Sequence, residues 1–216
     1  NSSLEIKVDE RTQELQDLNE LQKAMVQTIV HDLKNPLSNI IMFSKHIEIR
    51  DLKVERAKEI SKMINASGKH MAKMVENLLD IYKIEQGIVI ASLESIDLVP
   101  LVKQIREDFQ ENSLKKNIIL SFSTTLDKAI IVADNTLTKR VFENLVSNAL
   151  KFSPENKSIN ISIKQEKNNF IIAIKDEGPG LTDEDKTKLF QKFSRLSATP
   201  TSGEHSTGLG LSIIKN

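Results

Sequence analysis

In the stretch TIVHDLKNPLSNI, residues 28–40, a histidine stands beside an acid, with an asparagine one helical turn on and a proline directly after it. The chemistry this permits is nucleophilic. A carboxylate bonded to one ring nitrogen fixes the imidazole tautomer and leaves the other nitrogen the better nucleophile. Whether His31 can act depends on which way it points. On a helical wheel, Val26, Ile29, Val30, Leu33, Leu37, Ile40 and Ile41 fall within about 60° of one direction, a stripe that must be buried. Gln27, His31, Lys34, Asn35 and Ser38 share a polar face centred roughly 120° away. His31 therefore turns outward, with Asp32 adjacent and Asn35 stacked beside it. Pro36 removes a backbone donor and crowds the carbonyl of Asp32, which predicts a bend there. On its own, this segment reads as a solvated face holding an incidental histidine.

Four further motifs follow in order. ENLVSNALKFSP places Asn144 and Asn148 four apart on one helix face, with Lys151 a turn further. Amide oxygens suit a hard Mg²⁺ whose remaining ligands are phosphate oxygens and water, and Lys151 offers a point charge to phosphate. DEGPGL ends an expected strand. Gly178 and Gly180 there would let the backbone approach a flat ligand, and Asp176 can accept a hydrogen bond from an exocyclic amine. LFQKFSR sets Phe190 and Phe193 three apart, most simply as core, with Arg195 after them. STGLGL, carrying Gly208, Leu209, Gly210 and Leu211, opens the last helix, whose free N–H groups make an anion site. Each motif alone has an ordinary alternative: surface asparagines, a simple turn, core aromatics, a loop.

The elements that must position these groups divide the chain by texture. Residues 4–86 hold one proline and one glycine among many Glu, Lys, Gln and Leu. They predict two long helices, about 4–48 and 53–86. Leu15, Leu18, Met25 and Ile29 recur at coiled-coil steps in the first. Ile60, Ile64, Met71, Met74, Val75, Leu78 and Ile81 make a stripe in the second. A helix pair cannot bury both stripes, so a four-helix bundle formed by dimerisation is expected, with a monomeric hairpin packed on the second half as the alternative. From residue 97 the pattern is helix (Asp97 as N-cap), strands NIILSFSTT and AIIV, a helix capped by Asp134, a hairpin turning at Lys-Asn-Asn, a polar loop and a final helix. That order predicts an α/β sandwich with a mixed sheet.

Composition narrows the function classes. Thirty basic residues balance thirty acidic ones among 216, so net charge gives no reason to expect nucleic acid as partner. The absence of cysteine excludes a disulfide framework, a thiolate zinc site and a cysteine nucleophile. No apolar run reaches the roughly 18 residues that span a bilayer, and no signal peptide is visible. The abrupt polar opening reads as the start of a fragment.

Taken together and in this order, the motifs resemble those of a sensor histidine kinase of two-component signalling, over nearly the whole chain. HDLKNP is similar to the family's H-box, in a dimerisation and phosphoacceptor domain at 25–88 that follows a coiled-coil lead-in helix at 1–24. Residues 97–216 are similar to the GHKL catalytic ATP-binding domain, a Bergerat-type fold, with N-box, two glycine boxes and a phenylalanine box. The resemblance implies that His31 accepts a phosphoryl group, that Asp32 assists as base, and that Asn35 orients water when a partner is dephosphorylated. It implies that Asn148, beside Asn144, holds Mg²⁺ and that Asp176 reads the adenine amine next to Gly178 and Gly180. Lys151, Arg195, Gly208, Leu209, Gly210 and Leu211 would bind phosphates of ATP, and residues 182–207 would form a mobile lid. The family usually completes the last helix and adds a sheet element, so the C-terminus is expected to be truncated. Implied partners are a second copy, a response-regulator receiver domain and an upstream sensor domain. The implied location is cytoplasmic for this segment, with membrane anchoring open for the longer protein. ATP-hydrolysing GHKL relatives carry Glu where Asn144 stands, and an amide cannot take a proton from water. A kinase is therefore favoured over a GHKL ATPase or a nucleotide-binding scaffold.

Overall fold

The computed structural model describes residues 2–48, 53–191, 196–201 and 210–215, without the side chains of residues 2–5, 10, 14, 18, 21, 25, 85, 213 and 215. The chain separates into two compact units, residues 1–78 and 79–216.

Two long helices, α1 (Ser2–Ile47) and α2 (Val54–Glu85), match the expected pair to within a few residues; α1 and α2 up to residue 78 supply the first unit. α1 continues as helix through Pro36. Its apolar stripe divides along its length. Ile29, Leu33 and Ile40 are half-buried, whereas Val26, Val30, Leu37 and Ile41 are exposed. The stripe of α2 divides likewise, with Ile60 and Met74 buried, Ile64, Met71 and Leu78 half-buried, and Val75 exposed. Leu15 is exposed, and the side chains of Leu18 and Met25 lie outside the described set.

The second unit runs β1 (Glu94–Asp97), α3 (Leu98–Asp108), α4 (Gln110–Lys115), β2 (Ile119–Thr124), β3 (Ile130–Ala133), α5 (Asn135–Phe152), β4 (Ser158–Glu166), β5 (Asn169–Lys175), α6 (Asp183–Lys188) and α7 (Gly210–Lys215). β2 pairs parallel with β4, which pairs antiparallel with β5, while β1 and β3 form a separate antiparallel ribbon. The strands are thus mixed, as expected, but lie in two sheets. Alternate residues of β4, namely Ile159, Ile161 and Ile163, point inward. They meet Leu98, Val102 and Ile105 of α3 and Phe142, Val146 and Leu150 of α5 in one core. Each such fully buried side chain stabilises by roughly 1.5–3 kcal/mol.

Both expected caps are present. Asp97 accepts from Val99 N at 3.1 Å and from Ala129 N at 3.0 Å, and Asp134 accepts from Leu137 N at 2.9 Å and Ser92 N at 2.8 Å. The hairpin turns on Lys167 and Asn168, between the paired Glu166 and Asn169, with Lys167 at φ 54°. Three expectations need correction. The single helix expected after Asp97 is interrupted at Phe109, whose φ of −95° and ψ of −2° end α3 and open α4. β1 is an unforeseen strand in which only Ile96 is fully buried, too few inward residues to show alternation. Phe190 is 42% exposed rather than core, and its companion Phe193 lies outside the described residues.

Candidate functional site

Two separate groups of residues carry chemistry. In α1, the His31 side chain is 66% exposed and that of Asp32 only 11%. Nδ1 of His31 lies 3.2 Å from Oδ1 of Asp32. With Nδ1 donating its proton to the carboxylate, Nε2 of this exposed side chain would keep its lone pair and be the better nucleophile. The neighbouring carboxylate also stabilises positive charge that develops on the ring when Nε2 forms a bond. Asn35 is half-buried one turn further on, and Lys34 is exposed. The wheel argument for an outward histidine is borne out by these exposures.

The other group is built on α5 and the chain around it. Asn144, Asn148 and Lys151 are all half-buried on that helix. α7 opens directly against the two asparagines: a Cβ added at Gly210 would stand 3.6 Å from Asn144 Oδ1 and 3.7 Å from Asn148 Nδ2. Nδ2 of Asn144 is buried and has no hydrogen-bond partner among the described residues. An unmet buried donor is costly, and a ligand oxygen would satisfy it. Asp176 is exposed, and its Oδ1 accepts from Gly178 N at 2.8 Å. The fit at Gly178 is close: a Cβ there would lie 2.8 Å from Asp176 Oδ1 and 3.1 Å from the carbonyl oxygen of Phe152, so a larger residue would push the Asp176 carboxylate aside. Gly180 has φ +75°, in the left-handed region that favours glycine. The structure therefore brings Asn144, Asn148 and Gly210 together, and separately Asp176, Gly178 and the end of α5. Leu211 is half-buried in α7. Arg195, Gly208 and Leu209 lie outside the described residues.

No cluster of three or more His, Cys, Asp or Glu suited to a metal exists among the described residues. Paired amides without a carboxylate cage fit a cation that keeps water and substrate phosphates as most of its ligands, which is the habit of Mg²⁺. Glu143, the nearest acid to this group in sequence, lies 3.8 Å from the ammonium of Lys139, which also stands 3.4 Å from Asp108.

Two positions escaped the sequence reading. Asp185 is buried and closes a capping box with Thr182; its carboxylate also accepts from Ser197 N at 2.8 Å and Ser197 Oγ at 2.6 Å. Those donors, the Ser197 hydroxyl foremost, hold its pKa well below the ordinary value. Thr-x-x-Asp ahead of a short helix was a readable signal for the box, though not for the tie to Ser197. The second position is Lys116, a buried lysine between α4 and β2 with no local sequence signal. No helix among the described residues is long and apolar enough to cross a membrane.

Residues 21–87 match the family described as the His Kinase A (phospho-acceptor) domain, and residues 133–216 match the histidine kinase-, DNA gyrase B-, and HSP90-like ATPase family. The sensor histidine kinase YvrG of Bacillus subtilis is 31% identical over 187 residues, which cover 86% of this chain and 32% of that protein. The chain thus spans about a third of that relative's length. Among solved structures, the catalytic domain of histidine kinase ThkA is 31% identical with a TM-score of 0.51, covering 57% of this chain and 78% of that one. Histidine kinase AdeS of Acinetobacter baumannii is 22% identical with a TM-score of 0.63, covering 85% and 83%, and shows a common fold.

Proposed function

The chain belongs to the sensor histidine kinases of two-component signalling, and from that premise we propose that it transfers the γ-phosphoryl group of ATP to His31. The observation that carries this reading is the outward imidazole held by Asp32, on one element, together with a phosphate-type assembly of asparagines and glycines on others. Nε2 of His31 attacks the γ-phosphorus, an N–P bond forms, the bond to the bridging oxygen breaks and ADP leaves. Asp32 holds the proton on Nδ1, offsets the positive charge of the ring during attack and, as the assisting base, takes that proton so that a neutral phosphohistidine remains. Asn144 and Asn148 hold the metal–phosphate end of the nucleotide, Lys151 adds positive charge, and Asp176 takes the adenine amine. A bound Mg²⁺ would neutralise phosphate charge as it shifts to the leaving oxygen. The phosphoryl group then passes from His31 to an aspartate of a response-regulator receiver domain.

Hydrolysis is disfavoured by the same residues. Asn144 has no basicity, and Glu143 is engaged with Lys139. The exposed halves of the α1 and α2 stripes suit a second copy, giving a homodimeric four-helix bundle. A cytoplasmic setting and an upstream sensor domain outside these residues complete the proposal.

Incubation with γ-labelled ATP tests it. Label that is acid-labile and alkali-stable is a phosphoramidate. His31→Gln should lose the label entirely while nucleotide binding stays within about twofold, since His31 lies outside the nucleotide group. Label that persists in this variant removes His31 from the reaction.

A further inference from the structure

A buried ammonium joins three segments distant in sequence. Lys116 is 7% exposed, and its Nζ donates to Leu150 O at 2.8 Å, to Thr201 Oγ1 at 2.9 Å and, more weakly, to Lys151 O at 3.4 Å. Thr201 holds the same helix end in its own right. Its N donates to Lys151 O at 3.0 Å, and its hydroxyl lies 2.9 Å from Ser153 O and 3.1 Å from Lys151 O, one of which receives the proton. The backbone of Lys116 is also fixed, donating to Ser113 O and accepting from Asn156 N, each at 3.2 Å.

The sequence explains why donors are needed at that spot. The last carbonyls of a helix have no intrahelical donor and carry the negative end of its dipole. α5 ends without a glycine cap: Ser153 is extended, with ψ 133°, and Pro154 follows. Donors must come from elsewhere, and Lys116 and Thr201 supply them. Thr201 holds the carbonyl of Lys151, the lysine whose side chain the functional reading assigns to phosphate, while Lys116 holds Thr201 and the preceding carbonyl of Leu150.

We propose that Lys116 and Thr201 form a clasp that positions Lys151 for the nucleotide phosphates, which makes both of them positioning residues for phosphoryl transfer. The proposal rests on the nucleotide-binding reading above. Residue 201 is tied to the backbone of the phosphate-binding lysine, so where that residue sits and how well phosphate is held are linked.

The test uses the full chain, with Mg·ATP as the probe in equilibrium binding and in autophosphorylation. Thr201→Val keeps shape and removes the hydroxyl. It should raise the ATP Kd and KM about tenfold with kcat within about twofold, and Thr201→Ser should restore them. In a Lys151→Met background the same Thr201→Val change should add less than about twofold, because the effect passes through Lys151. Lys116→Met should match Thr201→Val. If Lys116→Met fails to fold, the Thr201 and Lys151 series decides alone. Undiminished ATP affinity in Thr201→Val, or effects that simply add with Lys151→Met, overturns the clasp while leaving the kinase reading intact. Absence of ATP binding in the wild-type chain overturns both.

Discussion

The two units of this chain solve the burial problem differently. The α/β unit closes its core on itself: α3 and α5 cover β2 and β4, and Ile105, Val146, Ile159 and Ile163 are fully inaccessible. The helical unit leaves half of its apolar stripe open. Val30 is 58% exposed and Ile41 49%, on the same helix whose Ile29, Leu33 and Ile40 are half-covered. A stripe split in this way is what a helix shows when two different neighbours cover it. The difference separates what each unit can do alone. The α/β unit carries Asn144, Asn148 and Gly210 together, the group proposed above to hold a nucleotide. The helical unit presents its histidine on the polar face and leaves half of its apolar stripe uncovered.

Breaking that contrast should produce the largest effect. Ile41→Lys puts a charge on the exposed half of the α1 stripe, ten residues beyond His31. If a second copy covers Ile41, an unpaired charge is buried there, at a cost of several kcal/mol. The dimer dissociation constant should then rise by about two orders of magnitude or more. Sedimentation should show monomer at concentrations where wild type is dimeric, while ATP affinity stays unchanged. A dimer that persists would mean this half of the stripe faces solvent.

How much of this was legible in the sequence follows the same division. The long helices were readable because apolar residues recur at three and four over many turns, and His31 could be aimed from that pattern alone. The caps Asp97 and Asp134 were readable because a capping carboxylate bonds donors two or three residues away. β1 was not, since one fully buried isoleucine in four residues makes no period. Phe190 was misread as core because two aromatics three apart do not say which face of a short segment is covered. The contacts spanning many residues left no trace: Lys116 to Thr201 and Asp185 to Ser197 are set by tertiary structure, and nothing local marks either lysine or acid as buried. A lysine in a polar turn gives no hint that it will hold a helix end.

A finer contrast lies within the helical unit, between two neighbours of His31. Asp32 touches Nδ1, whereas Asn35 sits a turn away with no basicity to offer. Asp32→Asn removes the charge that stabilises the ring during attack, so autophosphorylation should fall by about 10- to 100-fold. Asn35→Ala should leave it within a few fold, and should instead slow dephosphorylation of a cognate regulator, where the amide would place a water in line with phosphorus. Both rates measured for both variants decide this. Equal damage to autophosphorylation would reassign Asn35 to supporting the helix at Pro36.

The smallest expected effect concerns acid, and it belongs to the α/β unit. Carboxylates held below their ordinary pKa lie there: Asp97 by the amide of Ala129, Asp134 by the amide of Leu137, and Asp185 by the hydroxyl and amide of Ser197. A lowered native pKa means that the unfolded chain takes up protons first as pH falls. The stability these groups contribute is therefore complete above about pH 4, the ordinary carboxylate range, and is lost as pH drops through their lower native values. Asp185→Asn keeps the side chain's size but removes the charge that Ser197 and Thr182 bond. The variant should melt several degrees below wild type at pH 7, and the gap should narrow as pH is taken from 5 to 2.5, because the unfolded wild-type chain then takes up the proton that folded Asp185 still refuses. Calorimetry of both chains across that range measures the gap directly. Since Asp185 ties α6 to residue 197, the Asn variant should also speed amide exchange at Ser197 while leaving Leu137, under the Asp134 cap, unchanged. A gap that stays constant with pH would mean that the tie to Ser197 is held by shape, not by charge.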